Sequence, residues 1–94
     1  MDIKHKETET RGMFYLENND GVYAELTYTH KDNGILTIDH TEVIQNMEGQ
    51  GIAGKLLKRT VEYARKQGLK IDPLCPYAEV QFERNESYQD VKAV

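Results

Sequence analysis

The chain has 94 residues, of which 38% are hydrophobic and 30% are charged, and its formal net charge is −4. This length allows one hydrophobic core, so we expect a single domain over residues 1–94. The acidic balance argues against nucleic acid as a partner, because neutralising phosphates requires a basic surface. No apolar run resembles a signal peptide or a membrane span, and the lone Cys75 cannot form an intrachain disulfide. We therefore expect a folded protein of the reducing cytoplasm with no membrane partner.

Two turn sequences divide the first half of the chain into strands. Residues 18–21 and 31–34 each combine Asn and Asp with a final Gly, and these residues tolerate positive φ. Between the turns, apolar and polar residues alternate from Val22 to Tyr28, which is the period of a half-buried strand. The flanking segments 12–17 and 35–43 are rich in aromatic or β-branched residues. The pattern predicts an antiparallel meander, extended by a further strand at residues 3–8.

After residue 49 the hydrophobic period changes to that of a helix. Small and apolar residues recur at three- and four-residue spacing, namely Ala53, Leu56, Leu57, Thr60, Val61 and Ala64. Gly68 suits a left-handed C-terminal cap, and residues 69–71 are typical of a short strand, which predicts a right-handed parallel crossover. A last helix is predicted from Pro76 to about Arg84. Residues 90–94 carry no pattern and are predicted to fray.

The turn before the first helix, residues 49–54, reads Gly-Gln-Gly-Ile-Ala-Gly. It matches the dinucleotide fingerprint, but residues 45–48 separate it from the preceding strand and one crossover cannot build a dinucleotide-binding sheet. With Lys55 it also matches a P-loop, but Leu56 replaces the Ser or Thr that would bind Mg²⁺. The remaining interpretation is a glycine turn at a helix start whose backbone N–H groups bind a pyrophosphate. Coenzyme A carries such a pyrophosphate.

Residues 48–53 approach the coenzyme motif Q/R-x-x-G-x-G/A, and four further segments follow in a characteristic order. These are Asp39-His40-Thr41-Glu42-Val43, Glu62-Tyr63-Ala64-Arg65, Pro73-Leu74-Cys75-Pro76-Tyr77, and Arg84 followed by Tyr88-Gln89-Asp90. Over residues 39–90 the chain thus resembles the GNAT acetyltransferase superfamily, and most closely its small stand-alone YjdJ-type members. The resemblance implies an α+β (α/β) fold: an antiparallel meander, one βαβ crossover with the glycine turn at the helix start, and a short C-terminal helix.

The resemblance implies an acetyl-CoA-dependent N-acetyltransferase that acts on an unidentified amine and uses no metal. The two parallel strands would separate, and the pantetheine arm would pair with the backbone of Thr41, Glu42 and Val43. The pyrophosphate would bind at the glycine turn, which comprises Gly49, Gln50, Gly51, Ile52, Ala53 and Gly54. Lys55 would be a further phosphate contact, although a solvated helix face is an equal alternative for it.

Two side chains are candidates for the chemistry. Cys75 lies between two prolines at a helix start, where the helix dipole favours a thiolate, so it is predicted to accept the acetyl group. One alternative is an inert buried thiol. Another is a thiol that only lines the pocket while the amine attacks the thioester directly. His40 is predicted to project near the same opening as a general base. His5 and His30 are expected at the surface.

The chain departs from the superfamily pattern at two places. Glu48 stands where the superfamily prefers Arg or Gln, so its carboxylate should repel a pyrophosphate. Residues 84–88 lack the His and Pro of the family's Arg-His-Pro-Glu-Tyr stretch, so no role of that His carries over. Because the chain is too short for elaborate substrate walls, a module that binds acyl-CoA without turnover is the alternative to an enzyme. The sequence indicates neither the acceptor nor the oligomeric state.

Overall fold

The computed structural model describes residues 2–93, which form a five-stranded sheet with two α-helices. The strands are β1 (Lys4–Glu7), β2 (Arg11–Asn18), β3 (Gly21–Lys31), β4 (Ile35–Val43) and β5 (Lys70–Pro73), and they lie side by side in chain order. The helices are α1 (Ile52–Gln67) and α2 (Pro76–Arg84), and short 3₁₀ turns cover Gln45–Met47 and Glu86–Val91. Strands β1 to β4 are antiparallel and β5 is parallel to β4, so the predicted fold class is confirmed. Neither α-helix of the described region is long and apolar enough to cross a membrane.

The core lies between the two helices and one face of the sheet. Alternate residues of β2 and β3 point into it and are at most 2% exposed, namely Phe14, Leu16, Ala24, Leu26 and Tyr28. Helix α1 supplies residues at helical spacing, namely Ile52, Leu56, Leu57, Thr60, Val61 and Ala64. Each large aliphatic side chain buried in this way contributes about 1.5–3 kcal/mol. Val22 shares the alternation of β3 but is 42% exposed, because it lies next to the β2–β3 turn.

Residues 90–93 pack against α1 and β5, so the prediction that this segment frays is wrong. Asp90 accepts hydrogen bonds from the Arg65 guanidinium through both carboxylate oxygens, each at 2.9 Å. Val91 is 3% exposed, and the Ala93 amide donates to the Ile71 carbonyl at 2.7 Å. These partners are distant in sequence, so no local pattern indicates them. Val94, the last residue of the predicted segment, lies outside the described residues.

A hydrogen-bonded cluster joins β1, β3 and α1. One carboxylate oxygen of Glu7 accepts from the hydroxyls of Tyr28 (2.5 Å) and Tyr63 (2.8 Å) and from His30 Nε2 (2.9 Å). His5 Nε2 lies 2.6 Å from the Tyr28 oxygen, and it must donate because the Tyr28 proton goes to Glu7. The two imidazoles, expected at the surface, are only 24% and 25% exposed. Their partners lie on other elements, which explains the error.

The close packing of this cluster requires a glycine on the neighbouring strand. The Tyr28 ring lies directly against Gly12, where a Cβ atom would come within 2.3 Å of the Tyr28 oxygen. The same packing changes the acid–base behaviour of the cluster. Burial lowers the pKa of His5. Burial opposes ionisation of Glu7 as well, but the hydrogen bonds from Tyr28, His30 and Tyr63 outweigh it and lower the Glu7 pKa below its ordinary value of 4.5.

We predict that Glu7→Gln makes the protein less stable and flattens its acid sensitivity. A carboxylate whose pKa is lowered by folding contributes stability above its unfolded pKa, and that contribution is lost as the pH falls through the folded value. The variant should lose about 1 kcal/mol of unfolding free energy at neutral pH. Its denaturant-unfolding free energy should then depend less on pH below 4.5 than that of the wild type.

The matched control is Glu9→Gln, which removes the same charge from an exposed residue in the β1–β2 turn. This control should unfold like the wild type at every pH. Equal pH profiles for Glu7→Gln and Glu9→Gln would contradict the prediction.

Candidate functional site

Strand β4 has one extra residue at a single point of its pairing with β3. Thr27 pairs with His40, whereas the next residue, Tyr28, pairs with Ile38, so Asp39 is the additional residue of a β-bulge. A bulge bends its strand and increases the local twist. Strand β4 therefore changes direction at Asp39.

The bulge coincides with the end of the pairing between β4 and β5. The parallel ladder ends where Ile38 faces Pro73, and the last hydrogen bond runs from the Cys75 amide to the Ile38 carbonyl at 2.9 Å. Beyond this point β4 continues to Val43, while the chain after β5 turns into α2. The edge of β4 over residues 41–43 consequently has no strand partner on this side among residues 2–93.

A cleft of about 480 Å³ lies between this strand edge and the N-termini of the two helices. Its lining comprises Thr41, Glu42, Val43, Met47, Glu48, Gly49, Gly51, Ile52, Ala53, Gly54 and Tyr77. Eight of the ten residues predicted to bind the coenzyme are in this lining. The other two, Gln50 and Lys55, are exposed residues of the same turn and the following helical turn, outside the lining.

Among the lining residues, Met47 and Tyr77 were not predicted, and Glu48 was noted only as a departure from the family pattern. Met47 belongs to the 3₁₀ turn that links β4 to the glycine turn. Tyr77 is the second residue of α2, and a Cβ atom on Gly54 would lie 3.6 Å from its oxygen. Burial raises the Tyr77 pKa, with smaller contributions from Tyr88 and Cys75, so the hydroxyl stays protonated and can donate.

The N-terminus of α1 presents its amides to the cleft. Gly51 is the N-cap in the left-handed region (φ 74°, ψ 16°), and no side chain of the described residues caps the helix there. The first turn contains no acidic residue. A Cβ atom added to Gly49 or Gly51 would meet nothing within 4 Å, so both positions face open space. Uncapped amides and the positive end of a helix dipole are features that favour the binding of anions at helix N-termini.

Cys75 lies where β4 and β5 separate. Its sulfur is 3.5 Å from the Thr41 hydroxyl oxygen and accepts a hydrogen bond from the Ala78 amide at 3.5 Å, so Cys75 is the N-cap of α2. The side chain is buried, with 5% exposure. The sulfur thus lies at the N-terminus of α2, and Cys75 itself does not belong to the lining of the cleft.

His40 lies on the other face of β4. Its side chain is 52% exposed, and its Nε2 is 3.2 Å from a carboxylate oxygen of Glu42. Because successive residues of a strand point to opposite faces, His40 points away from the side on which Thr41 meets Cys75. The structure thus brings Thr41 and Cys75 together and places His40 on the open face of the sheet.

Comparison with known proteins agrees with this architecture. The family model for the GCN5-related N-acetyl-transferases matches residues 13–91. A GCN5-like protein from Staphylococcus aureus, solved by NMR, is 41% identical, with 96% of this chain and 87% of its own covered and a TM-score of 0.75. A candidate acetyltransferase from Agrobacterium tumefaciens is 31% identical, with 93% and 61% covered and a TM-score of 0.60.

More distant structures share the fold alone. A candidate streptothricin acetyltransferase from Bacillus anthracis, solved in complex with acetyl coenzyme A, is 11% identical, covers 82% of this chain and 47% of its own, and has a TM-score of 0.60. No curated protein matches the chain significantly. The superfamily predicted from the sequence is confirmed, and the narrower YjdJ-type assignment stays a prediction. Because the family match spans most of its length, the chain belongs to the GCN5-related N-acetyltransferase family.

Proposed function

We propose that the protein is an acetyl-CoA-dependent N-acetyltransferase that passes the acetyl group through Cys75 to an amine. The observation that carries this proposal is a cleft that combines a free strand edge with an uncapped helix N-terminus. Cys75 does not line this cleft, but its sulfur is 3.5 Å from the hydroxyl of the lining residue Thr41. The Bacillus anthracis protein of the same fold is solved with acetyl coenzyme A. The glycine turn and the strand edge of this chain would hold the same ligand.

The cleft offers separate partners to the parts of the coenzyme. Amides of the glycine turn would hold the pyrophosphate, since Gly49 and Gly51 leave room for close backbone approach. Backbone groups of Thr41, Glu42 and Val43 would pair with the pantetheine amides in the manner of an added strand. Acetyl-CoA supplies an activated acetyl thioester.

In this proposal Cys75 would accept the acetyl group. The thiolate sulfur would attack the thioester carbonyl carbon, forming a new S–C bond while the bond to the coenzyme sulfur breaks. Tyr77, which lines the cleft and whose hydroxyl stays protonated, can donate a hydrogen bond to the departing coenzyme thiolate, which then takes a proton from water. The Thr41 hydroxyl, 3.5 Å from the sulfur, keeps the Cys75 side chain oriented.

The amine acceptor would complete the reaction. Its nitrogen attacks the acetyl carbon, the N–C bond forms and the S–C bond to Cys75 breaks. The amine proton has to leave in this step. Because His40 lies on the face of β4 opposite Thr41 and Cys75, it can take the proton only by way of water. The Glu42 carboxylate beside His40 would stabilise the imidazolium that forms.

Turnover is tested by mixing the protein with acetyl-CoA and a panel of amines and following the release of free coenzyme thiol. Thiol release that depends on the amine supports the enzyme. Tight acetyl-CoA binding with no thiol release for any amine, and no acetylated protein, would instead identify a module that binds acyl-CoA without turnover.

We predict that Gly51→Ala abolishes acetyl-CoA binding measured by calorimetry. The added methyl group would occupy the space at which the helix amides point. The matched control is Gly68→Ala at the C-terminus of α1, where the backbone is also left-handed (φ 70°, ψ 28°) and nothing lies within 4 Å. Both changes should cost about 1–2 kcal/mol of stability through backbone strain. Unchanged affinity in a folded Gly51→Ala protein would place the ligand elsewhere.

Glu48→Gln is predicted to tighten acetyl-CoA binding, because Glu48 lines the cleft beside the anion-binding amides. Removing an exposed like charge should improve the dissociation constant roughly threefold at low ionic strength. The improvement should shrink as salt is added. Weaker binding in this variant would show that the carboxylate has a positive role in the site.

We predict that Cys75→Ala binds acetyl-CoA with wild-type affinity but loses most turnover. Mass spectrometry after brief mixing with acetyl-CoA, without an amine, should show one acetyl group on Cys75 of the wild type. Tyr77→Phe should slow this acetylation, whereas His40→Gln should slow only the later transfer to an amine. Full turnover by Cys75→Ala would mean that the amine attacks the thioester directly.

A further inference from the structure

The bulge residue Asp39 is bound by two other strands. One oxygen of its carboxylate accepts from the Thr27 hydroxyl on β3 at 2.6 Å, and the other accepts from the Arg11 guanidinium on β2 at 3.3 Å. Its side chain is 29% exposed. Hydrogen bonds to a carboxylate are charge-assisted and stronger than those between neutral groups. Asp39 therefore ties three neighbouring strands together at a single point.

The contacts of Asp39 with Thr27 and Arg11 lie at the position where the backbone pairing of β3 and β4 is interrupted. The additional residue of a bulge has no partner of its own in the ladder, so side-chain contacts have to determine its position. Shifting the register by one residue would turn each side chain of β4 to the opposite face. Thr41 would then leave the sulfur of Cys75, and the partnerless edge at residues 41–43 would no longer line the same cleft.

We propose that Asp39 is a positioning residue: together with Thr27 and Arg11 it holds the bulge in β4 and thereby sets the geometry of the cleft. Asp39 itself does not line the cleft. It acts through Thr41, Glu42 and Val43, which follow it on the same strand. The catalytic consequence of this inference rests on the proposed function, whereas the geometric part concerns the chain alone.

The test compares two threonines on the same face of β3. Thr27→Val removes the hydroxyl that donates to Asp39 but keeps the shape of the side chain. Thr29→Val is the matched control, because Thr29 lies two positions further along β3 and faces Thr37 instead of the bulge. Asp39→Asn tests the carboxylate directly.

We expect Thr27→Val and Asp39→Asn to lower kcat roughly tenfold, since small displacements of reacting groups have large effects on rate. Thr29→Val should keep the wild-type kcat. The affinity for acetyl-CoA should fall no more than about threefold, because the glycine turn that would hold the pyrophosphate is untouched. The loss of kcat should therefore exceed the loss of affinity. A general loss of sheet stability would lower the melting temperature of both threonine variants without separating their kcat values.

Amide chemical shifts provide the second readout and need no ligand. In Thr27→Val the amides of Thr41, Glu42, Val43 and Cys75 should shift, and in Thr29→Val they should stay at their wild-type positions. Equal shifts in the two variants, or kcat and shifts in Thr27→Val equal to wild type, would overturn the positioning role. A wild-type protein that fails to bind acetyl-CoA would overturn the proposed function, and the chemical shifts would still decide the role of Asp39.

Discussion

When a strand has an extra residue between two positions that pair with consecutive residues of its neighbour, the register differs on the two sides of that extra residue. In this protein that residue is Asp39, and all the residues that line the cleft follow it in the chain. On one side of the bulge β4 is an interior strand of a continuous sheet. On the other side the same strand has an available edge, and the resulting gap receives the N-termini of both helices. The cleft thus begins where the extra residue of β4 and the end of the β4–β5 ladder coincide.

The recognition surface that results is mostly backbone. The helix amides and the strand edge are properties of chain geometry, and the side chains chiefly have to leave room for a ligand. Gly49 and Gly51 meet this requirement with left-handed backbones and no Cβ atom. Lys55, whose side chain was a candidate phosphate contact, lies outside the lining. The distinctive side chain of the site is Cys75, which is held by contacts to Thr41 and Ala78.

Those parts of the structure that depend on neighbouring residues could be predicted from the sequence. The bounds of β4 and α2 were predicted correctly, and Gly68 ends α1 with the expected left-handed cap. Local turn and capping preferences, together with hydrophobic periodicity, determine all three. The glycine turn was placed correctly for the same reason.

The features that were missed depend on side chains from distant elements. Glu7 collects donors from β3 and α1, and Asp90 meets Arg65 across 25 positions of sequence. The position of His40 could not be predicted because the bulge precedes it and alternation alone does not reveal an inserted residue. The contacts of Glu7 and Asp90 join residues that are distant in sequence, so hydrophobic periodicity does not predict them. The packing of the buried Tyr28 ring against Gly12 could not be predicted for the same reason, because it joins two different strands.

The way residues 92–93 meet β5 affects how copies of the protein behave toward each other. An outer strand with vacant amides and carbonyls is a template for aggregation, because a strand of another molecule can add to it. Lys92 forms a parallel β-bridge with Ile71, and the Ala93 amide donates a hydrogen bond to the Ile71 carbonyl. The opposite outer strand, β1, is short and carries Lys4 and Lys6, whose charges discourage the same association. Both outer strands of the sheet are therefore protected against intermolecular β-pairing, which leaves the short edge of β4 at residues 41–43 as the place where an extended ligand can add.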